Sequence, residues 1–66
     1  MDKLIFQKYN QLEYSGQRTE AVLKMADITN KKPTTIKNHW LQFKEFPRTV
    51  NDKQKRQILK AIENLL

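Results

Sequence analysis

Cysteine is absent from this 66-residue chain, and glycine, histidine, serine and tryptophan occur once each. Without cysteine, neither a disulfide framework nor a thiolate zinc site can staple the fold. A metal centre built on the single histidine, His39, would need several carboxylates in one tight cluster; the sequence supplies none, so no metal and no cofactor are expected. Catalysis lacks material too. Ser15 is the only serine, no glycine-rich phosphate loop occurs, and no carboxylate pair stands at helical spacing in a credible pocket. So short a chain also has little volume with which to enclose a substrate, and a non-enzyme is expected. No apolar run approaches membrane-spanning length, and the N-terminal MDKLIFQKYNQ has no signal-peptide core or cleavage site, which predicts a cytoplasmic protein. Only Gly16, Pro33 and Pro47 interrupt a sequence rich in Lys, Gln, Leu and Glu. That composition predicts an all-α fold, a small four-helix domain spanning residues 1–66 with a thin core.

Positive charge is what the chain has in excess, and it is unevenly spread. The net charge is +6, yet residues 1–30 sum to zero. Residues 31–60 carry nine cations against Glu45 and Asp52, and Glu63 lies beyond them. The basic half opens with KKPTTIKNHWLQFK, residues 31–44. A concentrated positive field favours polyanions and speeds their capture.

The few breakers divide the chain into helical segments. Asp2 is placed as an N-cap, and Leu4 or Ile5, Tyr9 and Leu12 fall at helical spacing, which predicts a helix over 3–14. Gly16 suits the left-handed residue after it, and Phe6, Tyr9 and Tyr14 read as one core stripe rather than a stacking surface. A second helix of roughly two to three turns is expected from about Thr19, with Val22, Met25 and Ala26 inward. Pro33 opens a third over 33–43, because its fixed φ and missing N–H suit a first turn. Ile36, Trp40, Leu41 and Phe43 form its apolar side, with His39 packed beside Trp40. After the connector KEFPRTV, a capping box of Asn51 and Gln54 starts a fourth helix that runs to the end. Its apolar band is broad for so small a domain. Ile58, Leu65 and Leu66 are therefore the expected contact with a second copy.

The segment AVLKMADITNKKPTTIKNHWL resembles the helix-turn-helix of bacterial and phage regulators. That motif has a small residue where its helices cross, Ala26 here. A residue tolerant of positive φ comes four positions later, and a β-branched apolar residue six after that; Asn30 and Ile36 fill these places. Thr29 and Lys31 stand where apolar side chains are commoner, leaving Ile28 to cover that part of the core. IKNHW also resembles the end of the recognition helix in Myb-type repeats, over five residues and without that family's regularly spaced tryptophans. Carried over, it implies Lys37 and Asn38 as base readers and Ile36 and Trp40 as core.

Both resemblances imply double-stranded DNA as the partner, with helix 33–43 in the major groove. The residue chemistry suits that role. Lys37 can donate to guanine N7 and O6, Asn38 can pair with adenine N6 and N7, and Thr34 can meet a thymine methyl or a base edge. Thr35 with the amides of the helix start, together with Lys31, Lys32, Lys44, Arg48 and Lys53, can hold phosphates. Arg18 and Lys24 are either phosphate contacts or ordinary surface. One such helix reads only a few base pairs, so a homodimer is expected on DNA. Size and a lysine-rich composition suggest a transcriptional regulator of a phage, plasmid or other mobile element. Two other classes stay open: a protein-interaction module, such as a phage factor binding host transcription machinery, and a non-specific nucleic-acid binder.

Overall fold

The computed structural model describes all 66 residues, and in it the chain forms four helices and no strand. They are α1 (Asp2–Asn10), α2 (Ser15–Thr29), α3 (residues 33–43) and α4 (Asp52–Leu65). No helix is long and apolar enough to cross a membrane.

Leu12 decides where α1 ends. Gln11 N–H donates to Lys8 C=O and Leu12 N–H to Tyr9 C=O, both at 3.1 Å. These three-residue bonds tighten the last turn and send Leu12, fully buried, into the core. The helix is therefore shorter than the expected 3–14. Asp2 is its first residue and not its cap, a position taken by Met1. The Asp2 carboxylate works at long range instead. It accepts from Phe46 N–H at 3.1 Å and pairs with Lys55 Nζ at 2.8 Å, tying the start of α1 to the connector and to α4. Tyr14 is 68 % exposed and precedes α2, so it does not share the core stripe with Phe6 and the half-buried Tyr9.

Helix α2 starts at Ser15, a turn earlier than expected, and runs for 15 residues. Gly16 lies inside its first turn, has no positive φ, and does not terminate α1. Gln17 joins the start of α2 to the end of α4: its Oε1 accepts from Tyr14 N–H at 3.3 Å, and its Nε2 donates to Leu65 C=O at 2.8 Å. That second bond satisfies one of the carbonyls left open at the end of α4. Ala21, Val22, Met25 and Ala26 are buried. Thr29 is buried as well, with its hydroxyl donating to Met25 C=O at 2.6 Å, and Ile28 packs half-buried against the core. A polar side chain is tolerated there because its one donor is satisfied.

The turn between α2 and α3 takes its shape from its own residues. Asn30 adopts the left-handed conformation, φ 56° and ψ 41°, and Lys31 N–H reaches back to Ala26 C=O at 3.1 Å. Lys32 is extended, as a residue before proline must be, and Pro33 begins α3. Ile36 and Trp40 face inward as expected.

Two expectations for α3 fail, that for Phe43 through the backbone. Leu41 N–H donates to Ile36 C=O, five residues back, which makes Ile36–Trp40 a π-turn inside an otherwise α-helical segment. A π-turn takes one residue more than an α-turn, so the residues after it are rotated back by about 100°. Leu41 swings toward the core, half-buried, while Phe43, expected inside, is 65 % exposed. His39, expected to pack beside Trp40, also faces solvent. Helix α3 closes with Lys44 left-handed (φ 54°) and Glu45 N–H donating to Trp40 C=O at 3.2 Å.

The connector 44–51 fills the space that Phe43 leaves. Phe46 is buried, stacked on Phe6 with ring centroids 4.7 Å apart and edge-on to Trp40 at 5.3 Å. Val50 is buried beside this cluster. Helix α4 begins with the expected capping box: Gln54 N–H donates to Asn51 Oδ1 at 2.8 Å, and Asn51 N–H to Gln54 Oε1 at 3.0 Å. Ile58 and Ile62 are its core residues, and α1 and α2 both pack against it. Ile58 is 0 % exposed, so it holds the protomer together and cannot meet a second copy; of the expected contact surface, half-buried Leu65 and exposed Leu66 remain.

Candidate nucleic-acid interface

The direction of the polar residues on α3 is fixed by its two anchors. With Ile36 and Trp40 inward and about 100° between successive residues, Thr34 and Asn38 fall on the opposite side, one turn apart. Lys37 lies on one flank of that ridge. All three are exposed, so the residues expected to read bases share the solvent side of one helix.

The phosphate candidates are more dispersed. Lys31, Thr35 and Arg48 come together around a groove of about 650 Å³ between α3 and the connector. Lys44 lies elsewhere, in a second groove shared with Lys3 and Gln7 of α1. Lys32, in the turn, and Lys53, in the first turn of α4, are exposed but border neither groove. Arg18 is committed to structure, since its Nε donates to Leu12 C=O at 2.9 Å and holds the α1–α2 turn.

The ion pairs leave the candidate phosphate cations unneutralised. Only two form, Lys55 with Asp2 and Lys8 with Glu63, the latter at 3.8 Å on the surface. Lys31, Lys32, Lys37, Lys44, Arg48 and Lys53 have no carboxylate partner. From Lys31 to Lys44 the chain carries no acid at all, so the field over α3 is undiluted by its own residues. No three carboxylate or imidazole side chains gather where they could hold a metal ion.

Two residues of this face have no place among the contacts expected from the sequence. His39 and Phe43, a helical turn apart, line the same groove as Thr35, with Arg48 and Thr49 on the opposite wall and Trp40 and Phe46 at its base. For His39 a signal exists, because counting from Ile36 and Trp40 puts it at the border of the buried side. For Phe43 there is none: regular periodicity puts it inward, and only the π-turn carries it out. Compared with known proteins, this chain matches no family model, no curated protein and no solved structure.

Proposed function

We propose that this chain is a sequence-specific double-stranded DNA-binding protein of helix-turn-helix type, acting in the cytoplasm as a small transcriptional regulator of a mobile genetic element. Helix α3 enters the major groove while α2 braces it across the backbone. The observation that carries the reading is the division of α3 by face. Ile36 and Trp40 are buried in the core, whereas Thr34, Lys37 and Asn38 are exposed together, beyond a tight turn made by a left-handed Asn30. A helix presenting amide, ammonium and hydroxyl groups in this way suits the donor and acceptor pattern of base edges. The cations without carboxylate partners around it suit the flanking phosphates. A homodimer, built on Leu66 and the open edge of Leu65, would present two such helices to two half-sites.

The test compares wild type with Asn38→Ala and Lys37→Ala on a preferred duplex and on a scrambled one. Each substitution should cut the preference by about 1–3 kcal/mol while leaving non-specific binding by Asn38→Ala unchanged. Equal binding to both duplexes by wild type would leave only a non-specific binder.

A further inference from the structure

The groove beside α3 has a composition that a duplex backbone does not call for. Phosphates ask for cations and amides, and Lys31 and Arg48 supply the cations. Phosphates do not ask for an exposed aromatic ring. Phe43 nevertheless stands 65 % exposed at this groove, where the π-turn has carried it out of the core. Burying a phenylalanine is among the larger gains open to a small domain, and a π-turn departs from the preferred backbone bonding. The chain forgoes the first and adopts the second, and both have the same result: an aromatic ring exposed to solvent in a groove that His39, Lys31 and Arg48 also line.

That combination fits a nucleotide whose base is free of its partner. In a duplex the base faces are stacked on one another and only edges and backbone are open; in a single strand each base has a face to lay on an aromatic side chain. Glu45 is the only carboxylate on the groove wall, against Lys31, Arg48 and His39. A volume of about 650 Å³ exceeds what one nucleotide fills, so the groove has room for a base and the adjoining backbone.

We propose that this groove binds single-stranded DNA, with an unstacked base against Phe43 and backbone phosphates along the strand on Arg48 and Lys31. The stacking residues are separate from Thr34, Lys37 and Asn38. DNA, rather than RNA, is assigned because the groove adjoins the ridge proposed to read a duplex, and in that respect alone the assignment rests on the proposed function.

Trp40 is the only tryptophan and lies at the groove's base, so its fluorescence reports occupancy. The experiment titrates the full chain with oligothymidylate of about ten nucleotides, a length within the usual single-strand site size. In parallel, the anisotropy of a labelled copy gives the affinity. Wild type should show saturable change in both signals. Phe43→Ala should bind at least about fivefold more weakly, Phe43→Tyr should bind within about twofold of wild type, and Asn38→Ala should be unaffected. Arg48→Gln should lower the slope of log affinity against log salt by roughly 0.7. Because Phe43 is exposed, its replacement leaves the core intact, which circular dichroism checks. Absence of a saturable Trp40 signal overturns the proposal, as it would if the groove took an apolar side chain of a protein partner. Wild-type affinity in Phe43→Ala overturns it too, since charge alone would then explain the binding. Tighter binding to oligouridylate overturns the choice of DNA. These outcomes are independent of duplex selectivity, which Asn38→Ala reads.

Discussion

Asp2 shows how one side chain of a thin-cored protein can hold three segments. Burial works against its ionisation. The hydrogen bond from Lys55, the Phe46 amide, the Lys55 charge and the α-amino group outweigh that and hold its carboxyl below the ordinary value of 3.8. A carboxyl whose pKa is depressed by folding stabilises the protein above the unfolded-state pKa and loses that contribution as pH falls through the folded one. Asp2→Asn should therefore cost about 1 kcal/mol at neutral pH, and its stability curve should converge on that of wild type as pH falls through the lowered folded-state pKa. Denaturant titrations from neutral pH to pH 2 check this, and a gap that stays constant at all pH values would contradict it. Asn30 likewise has a local reason for standing where glycine is usual. The left-handed region is open to asparagine, so the turn keeps its shape without the unfolded-state entropy of a glycine.

Among the elements, what local chemistry decides is legible in the sequence. Pro33 starts α3, Asn51 and Gln54 cap α4, and Asn30 ends α2, each through bonds within a few residues. What long-range packing decides is not. Helix α1 stops early because Leu12 must reach the core, and that pull has no local marker. Phe46 and Val50 look like connector residues because no helical period includes them, yet Phe46 completes the aromatic cluster on Phe6 and Trp40 and Val50 is buried in the same core. The π-turn in α3 breaks the period itself, so the exposure of Phe43 lies outside any reading built on 3.6 residues per turn. Gly16 misleads because glycine near a helix boundary suggests a terminator. Here it lies in the first turn of α2, and a Cβ added to it would meet no atom within 4 Å. Gly16→Ala should thus stabilise the protein by about 0.5 kcal/mol, raising Tm by roughly 2–4 °C, and a lower Tm would show a backbone requirement that the structure does not contain.

At the scale of the molecule, the charge asymmetry of the sequence becomes a division of labour. The two ion pairs use Asp2 and Glu63 to bind α1 to α4, and they leave the cations around α3 without carboxylate partners. The whole domain measures 28 × 21 × 20 Å, and α3 alone spans only a few base pairs of a major groove. A single copy therefore has little capacity to specify a site, so the proposed reading of DNA by α3 requires two copies acting together. Selection of bound duplexes from a random library by wild type, with Asn38→Ala in parallel, puts both halves of that proposal at risk at once. Wild type should enrich a two-fold symmetric motif with half-sites about one helical turn apart, and the variant should lose selectivity at one position per half-site. No enrichment by wild type, or the same motif enriched equally by both proteins, would contradict it.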